Sequence, residues 1–155
     1  VNIMTKEAYE LLRRSLENAK EKLAESRRDV GEAGGFSDWH DNFALEEAHR
    51  QIDLWSSVIA TKKSQLDNVV LITPRQEVDK VGLGNRVELR FEYEDDNETF
   101  LLLGSVDATF RDDCISFRTP VGQKILGQPA GAVVELQVGD EITRVKIVKV
   151  LPGDF

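Results

Sequence analysis

The sequence predicts an α+β protein in which an N-terminal antiparallel coiled-coil hairpin is followed by a small antiparallel β domain with one short helix. Two observations support this fold class. Residues 1–73 carry two long apolar stripes at helical spacing, and residues 74–155 carry short alternating segments separated by glycine, proline and aspartate. We therefore predict two domains, a coiled-coil hairpin over residues 1–73 and a β domain over residues 74–155.

The first helix is predicted to run from Thr5 to about Val30, a segment without proline or glycine that is rich in strong helix formers. Thr5 suits the N-cap position, and Glu7 suits the first turn, where the helix dipole favours a carboxylate. An apolar stripe advances along the segment in alternating steps of three and four residues, which is the heptad spacing of a coiled coil. The stripe consists of Tyr9, Leu12, Leu16, Ala19, Leu23, Ser26 and Val30.

The second helix is predicted from about Asp38 to Asp67, with a stripe of the same spacing. This stripe consists of Leu45, Ala48, Ile52, Trp55, Ile59, Lys62 and Leu66. Two stripes of similar length, joined by a short connection, should pack as an antiparallel hairpin. Each helix of about 27 residues would be roughly 40 Å long. A rod of this length either dimerises or carries a functional group at its end.

The connection between the helices is rich in glycine and in aromatic residues. Gly31, Gly34 and Gly35 are expected to end the first helix, and Ser37 or Asp38 can cap the second. The aromatic residues of this segment are Phe36, Trp39 and Phe43. They form either a surface for a partner or an apolar seal over the end of the hairpin, and the sequence leaves both interpretations open.

Asp38 and Asp41 are three residues apart at the start of the second helix, and two interpretations of them stand. In one, Asp38 is the N-cap and Asp41 is an acid of the first turn. In the other, the two carboxylates share one helix face and help to hold a hard cation such as Mg²⁺. Two carboxylates alone bind Mg²⁺ weakly, so a partner would supply further ligands. His40 and His49 are nine residues apart with no cysteine nearby, which argues against a zinc site.

The second half predicts about five strands and one helix. Val69–Ile72 is a short apolar transition that ends at Thr73 and Pro74. A helix over residues 121–126 should follow Thr119 as N-cap and Pro120 as its first residue, and Gly127 should end it. Cys114 is expected to be a core residue of the third strand. The strands are predicted at residues 87–93, 99–103, 114–118, 132–138 and 141–150.

Composition limits the classes of function. The net charge is −8, so binding of duplex nucleic acid through bulk electrostatics is not expected. A single cysteine excludes an intrachain disulfide, and the sequence shows neither a secretory signal nor an apolar run of the ~20 residues that span a bilayer, so a cytoplasmic location is expected. The second half has no Ser-His-Asp arrangement and no phosphate-binding glycine motif.

Three segments together resemble the GreA and GreB factors of bacterial transcription, over nearly the whole chain. Residues 4–12 look like the opening of the family's first helix. Asp38-Trp39-His40-Asp41-Asn42 looks like the family's acidic tip, Asp-x-x-Glu-Asn. Residues 115–122 followed by 125–127 look like the family's Ile-Ser-x-x-Ser/Thr-Pro-x-x-x-x-Leu-x-Gly segment. The order of these segments, with a helical hairpin ahead of a small β domain, makes the resemblance fairly specific.

The resemblance implies a partner and an activity. Gre factors insert the hairpin into the secondary channel of RNA polymerase, and an FKBP-like C-terminal domain docks at the channel mouth. The acidic tip reaches the polymerase active site near the 3′ end of the nascent RNA, where it helps to hold a Mg²⁺ ion shared with the polymerase and a water molecule. The factor is not itself an enzyme. It stimulates the polymerase's own nuclease to cleave backtracked RNA, and it is not expected to bind DNA independently.

The family's tip residues are carried over one by one. Asp38 falls on the tip Asp and Asp41 on the tip Glu, so these two are the expected catalytic and Mg²⁺-binding residues. Asn42 falls on the following Asn, while Trp39 and His40 replace smaller residues, and all three are expected tip contacts. A rival frame through Gly35-Phe36-Ser37-Asp38 would lose the first acid. Asp41 is one methylene shorter than Glu, so its carboxylate stops roughly 1.5 Å short.

Three alternatives to cleavage stimulation remain. The first is a non-cleaving regulator or inhibitor of RNA polymerase that occupies the same channel. The second is a peptidyl-prolyl isomerase or chaperone, which the FKBP-like fold would allow, although residues 82–151 show no aromatic-rich pocket. The third is a coiled-coil dimerisation scaffold.

Overall fold

A computed structural model describes the backbone of residues 1–33 and 39–155 and the side chains of residues 1–31 and 43–155. In chain order the elements are β1 (Asn2–Thr5), α1 (Lys6–Ala33), α2 (Trp39–Gln65), β2 (Val69–Ile72), β3 (Arg86–Phe91), β4 (Glu98–Leu103), α3 (Ser105–Phe110), β5 (Cys114–Ser116), α4 (Pro120–Ile125), β6 (Val133–Val138) and β7 (Glu141–Leu151). They form two compact units. The helical unit contains Asn2 and Tyr9–Asn68, and the β unit contains Val1, Ile3–Ala8 and Val69–Phe155.

The two long helices form where the heptad stripes predict them. Thr5 caps α1, because its hydroxyl accepts a hydrogen bond from the backbone N–H of Ala8 at 3.2 Å. The polar member of the first stripe, Ser26, is buried, and its hydroxyl donates to the carbonyl of Lys22 at 3.0 Å. The helices pack antiparallel through one apolar cluster, and its members are Leu16, Ala19, Leu23, Trp55, Val58, Ile59 and Leu66.

Gly31 does not end the first helix. The helix α1 continues through Gly31 to Ala33, so the prediction that this glycine breaks it was wrong. A glycine inside a helix is unfavourable by only about 1 kcal/mol relative to alanine, and a long packed helix tolerates that penalty. The other two glycines of the connection, Gly34 and Gly35, lie outside the described residues, as do Phe36 and Ser37.

The transition segment at residues 69–72 is a strand. As β2 it pairs with β1, which the sequence analysis did not predict, and the two form a separate two-stranded sheet. Residues 3–8 and 69–73 therefore group with the β unit, whereas the predicted hairpin domain spans residues 1–73. Ile72 anchors this ribbon to Leu101 and Leu103 of β4, in a cluster that also takes in Ile3, Leu83, Cys114 and Phe155.

The main sheet has five strands in the order β5-β4-β3-β7-β6. Its pairs are antiparallel except β4 with β5, which run parallel, so the sheet is mixed rather than wholly antiparallel. A parallel pair requires a crossover connection. The helix α3 supplies it, and the unit therefore has two short helices where one was predicted.

The principal core lies on one face of this sheet. Val87, Leu89, Val145 and Ile147 are completely buried there, and Ile125 of α4 packs against them. The alternation of apolar and polar residues along β3 and β7 produces this arrangement, because successive side chains point to opposite faces. Within the described ranges, no helix is long and apolar enough to cross a membrane.

Candidate functional site

The acidic segment lies at the start of the second helix. Because α2 begins at Trp39, the backbone of Trp39, His40, Asp41 and Asn42 occupies its first turns. Asp38 lies outside the described residues, and so do the side chains of residues 39–42. Asp41 thus sits on a helix N-terminus, where the dipole favours a carboxylate. That Asp38 and Asp41 hold a shared cation stays a prediction.

Phe43 is the first described side chain of α2, and it is 76% exposed. An aromatic side chain at this exposure contributes little to the packing of the hairpin. Phe43 therefore belongs to the surface near the acidic segment and does not seal the apolar stripe. The same question for Phe36 and Trp39 concerns side chains outside the described set.

The side chains of residues 1–31 and 43–155 offer no competing metal centre. Among the described residues, no group of three or more His, Cys, Asp or Glu side chains is arranged to hold a metal ion. His49 lies exposed on α2. Cys114 is half-buried, and burial raises the pKa of its thiol to about 11, so it stays protonated at neutral pH.

The segment that carries the C-terminal resemblance is a tightly bonded connection between β5 and α4. Thr119 is the N-cap of α4, and its hydroxyl accepts from the N–H of Gly122 at 3.1 Å. The same hydroxyl donates to the carbonyl of Ser116 at 2.7 Å. The buried Ser116 hydroxyl in turn accepts from the N–H of Arg118 at 3.2 Å. The Ser-x-x-Thr-Pro spacing thus places Thr119 where it caps α4 and also bonds to Ser116 at the end of β5.

Gly122 is a further position of that segment, and close packing requires glycine there. A Cβ placed there would lie 2.2 Å from the carbonyl oxygen of Ser116, a distance that no side chain can occupy. The glycine therefore lets α4 approach β5 closely. Beside it the chain exposes Arg118, whose guanidinium lies 5.6 Å from the ring centre of Phe117, within cation–π range.

Two buried polar residues that the sequence analysis missed hold the β unit together. Asn85 is completely buried, and its side-chain amide donates to the carbonyls of Glu77 at 2.9 Å and Leu151 at 3.0 Å, while its oxygen accepts from the N–H of Gly82. Asp107 of α3 is also buried, and it accepts from the N–H of Gly104 at 3.2 Å. The sequence does not mark either residue as buried, because asparagine and aspartate are mostly exposed in proteins.

The β unit also bears on the isomerase alternative. A groove of about 510 Å³ runs along β2 and the segment after it, lined by Ile3, Leu83 and residues 70–77. None of these residues is aromatic. The groove therefore lacks the aromatic lining that the isomerase alternative requires, and nothing in its composition favours that activity.

The architecture defines a class of two-part proteins that combine a long coiled-coil hairpin with a small α+β unit. A family model described as "Transcription elongation factor, GreA/GreB, C-term" matches residues 75–152. The chain belongs to the GreA/GreB family of transcription elongation factors.

Individual relatives extend the similarity over nearly the whole chain. The chain is 29% identical to transcription elongation factor GreA of Thermoanaerobacter pseudethanolicus, over 96% of each sequence. It is 28% identical to the GreA of Clostridioides difficile, over 96% of this chain and 94% of that one. Among solved structures, GreA factor homolog 1 of Thermus thermophilus is 24% identical and matches over 96% of this chain and 97% of that one, with a TM-score of 0.44.

Proposed function

We propose that this protein binds RNA polymerase through the secondary channel and stimulates the polymerase's own cleavage of backtracked RNA. The observation that carries the proposal is similarity over 96% of the chain, hairpin included, to proteins named transcription elongation factor GreA. The protein would act as a factor, and the polymerase would remain the nuclease.

The helical unit supports this role through its length. The helices α1 and α2 contain 28 and 27 residues, so each extends roughly 40 Å. The cluster around Ala19 and Ile59 fixes the two helices against each other, and isolated helices would lack that stiffness. A hairpin of this length can carry a group from the mouth of a deep channel to its interior.

The donor chemistry of the acidic segment fits Mg²⁺. Magnesium prefers oxygen ligands and is commonly held by one or two carboxylates together with waters and substrate phosphates. Asp38 and Asp41 would supply those two carboxylates, and polymerase acids and RNA phosphate would complete the site. When bound, the ion would supply charge stabilisation and an activated water. Asn42, with both an amide donor and an acceptor, would help to position that water.

A second candidate is a regulator that occupies the channel without stimulating cleavage. The specific observation in its favour is Asp41, which stands where the family motif has the longer Glu. An Asp41→Glu variant tests this directly, since it restores about one methylene of reach. Fragment release by the variant, with none by the wild type, would favour the regulator.

The proposed function is tested with stalled, backtracked elongation complexes. Wild-type protein should bind these complexes and increase the release of short 3′ RNA fragments above the level seen with polymerase alone. Binding without increased release would contradict cleavage stimulation and leave the regulator. Failure to bind would contradict both candidates.

A further inference from the structure

We propose that β6 is a self-association surface, through which two copies of the chain pair their β6 strands antiparallel and join their sheets into one. The partner is a second copy of this chain, so the inference does not depend on the proposed function. It rests on the unpaired backbone of β6, on the residues that line this edge, and on the register in which the strand fits itself.

The outer edge of β6 presents free backbone groups. This strand is an edge of the five-stranded sheet and pairs only with β7. The N–H of Ile147 in β7 donates to the carbonyl of Ala132, just before β6, at 2.9 Å. Because the backbone groups of successive strand residues point to opposite sides, the even-numbered residues of β6 bond to β7 and the odd-numbered ones point outward. The outward-facing residues are Val133, Glu135 and Gln137. In the part of the chain that the structure describes, no hydrogen bond reaches their backbone groups.

The edge lacks the features that usually protect an edge strand. Natural sheets keep their edge strands short or place lysine, proline or a bulge in them. The opposite edge, β5, is only three residues long. By contrast, β6 is six residues long, contains neither lysine nor proline, and pairs with β7 without a bulge. Its residues Val133 and Val138 are exposed. A strand of this kind is a template on which another strand can pair.

Charge selects the register in which β6 pairs with itself. In one register, residues 133–137 of the two copies overlap, and Glu135 lies opposite Glu135 of the second copy. Like charges directly opposed across two strands destabilise a sheet. In the other register, residues 134–138 overlap, and Glu135 lies opposite Gln137 of the second copy. The amide of Gln137 can donate to that carboxylate, and a twofold axis makes the pair twice. The second register is therefore favoured.

The favoured register also covers exposed apolar surface. On the face that carries the core, Val138 lies opposite Val134 of the second copy, and Leu136 lies opposite its own counterpart. Val138 is 64% exposed and Val134 is half-buried, so pairing removes apolar surface from water in both copies. The net charge of −8 makes two copies repel each other over long range, and physiological salt screens this repulsion. Because the edge is only six residues long, we expect a weak dimer.

The test is sedimentation of the full-length chain at physiological salt, over a roughly hundredfold range of concentration. The wild type should pass from monomer to dimer as the concentration rises. Val138→Lys places an ammonium group against Val134 of the second copy, so the dimer should dissociate about tenfold more readily. The matched control is Val78→Lys, which changes the net charge equally at a residue that is 47% exposed and lies outside the strands. It should dimerise like the wild type.

Substitutions of Gln137 test the register. Gln137→Lys places a cation opposite Glu135 of the second copy and should tighten the dimer about fivefold, whereas Gln137→Glu should weaken it about fivefold. A gain of affinity cannot come from misfolding, so Gln137→Lys keeps the test valid even if another variant is unstable. Equal dimerisation by the two Gln137 variants would contradict the register and the inference with it.

Three further outcomes would overturn the inference. If the wild type stays monomeric over the whole range, β6 does not pair with itself. If the wild type dimerises and Val138→Lys does so equally well, the copies associate through another surface, such as the helical hairpin. If the wild type stays monomeric and Val138→Lys loses affinity for RNA polymerase, the edge pairs with a strand of another protein.

Discussion

Thr5 and Asp107 are linked across 102 residues of sequence by buried hydrogen bonds. The carboxylate of Asp107 accepts from the hydroxyl of Thr5 and, at 3.2 Å, from its backbone N–H. The same hydroxyl accepts the N–H of Ala8 and so caps α1. The Asp107 side chain of α3 therefore holds Thr5 in place as the N-cap of α1.

Removal of the Asp107 carboxylate should destabilise the β unit. In Asp107→Ala the N–H groups of Thr5 and Gly104 and the hydroxyl of Thr5 would be left buried without this acceptor. At about 1–3 kcal/mol for each unsatisfied group, partly relieved by relaxation, we expect a loss of about 3 kcal/mol. Urea unfolding measures the change. The exposed Asp112→Ala is the control and should differ from the wild type by less than about 0.5 kcal/mol.

The nearly isosteric substitution Asn85→Asp should also lower the stability of the β unit. In Asn85→Asp, a carboxylate would face the carbonyls of Glu77 and Leu151, to which the amide now donates. Because the site is completely buried, we expect a loss of at least about 3 kcal/mol at neutral pH. The matched control is Asn18→Asp on the exposed surface of α1. Equal unfolding midpoints for the two variants would rule out a central role for Asn85.

Two glycines should respond to alanine in opposite directions. Gly122→Ala places a Cβ against the carbonyl of Ser116, so the variant should lose about 2 kcal/mol or more. At Gly31 of α1 a Cβ has nothing within 4 Å, and alanine is the better helix former. Gly31→Ala should therefore gain up to about 1 kcal/mol. Melting temperatures measured by calorimetry for the wild type and both variants test the direction of each change in stability.

The ion pair between Arg111 and Asp113 predicts a pH dependence. Hydrogen bonds from the Arg111 guanidinium, the closest at 2.6 Å, lower the pKa of Asp113 in the folded protein. The pair therefore stabilises the fold at a pH above the ordinary carboxyl range, and this contribution disappears as the pH falls through the lowered pKa. Since Asp113 is 42% exposed, the effect should be only about 0.5 kcal/mol.

Unfolding measured from pH 7 to pH 2 tests this dependence. Asp113→Asn should be less stable than the wild type at pH 7, and the difference should vanish at the acid end. A difference that stays constant with pH would show that the ion pair is not its cause.

The helices and most strands could be predicted because their signals are local. The heptad stripe from Leu12 to Ser26 and the alternation along β3 depend only on neighbouring residues. The strand β1 could not be predicted, because Asn2–Thr5 is four residues long and its partner lies more than sixty residues away. The parallel pairing of β4 with β5 was missed for a related reason, since the six-residue α3 is too short to show a helical period.

The functional and structural residues also divide into those that a local sequence signal identifies and those that depend on distant partners. Thr119 and Gly127 were recognised around α4 because caps and stops have residue preferences. Asn85 and Asp107 were missed because the sequence does not distinguish a buried polar residue from an exposed one. Their hydrogen-bond partners are brought together only when the chain folds. The roles of Asp38 and Asp41 depend on a partner and stay predictions.

The central claim is that the carboxylates of Asp38 and Asp41 help the polymerase to cleave RNA. The most direct measurement compares 3′ fragment release from a stalled complex with wild type, Asp38→Asn, Asp41→Asn and Asp53→Asn, the last a control on the exposed surface of α2. Asparagine caps helices as well as aspartate does, so folding and polymerase binding should persist in the tip variants. We expect wild type and Asp53→Asn to release fragments, while either tip variant loses most Mg²⁺-dependent release. Equal release by all four proteins would contradict the claim.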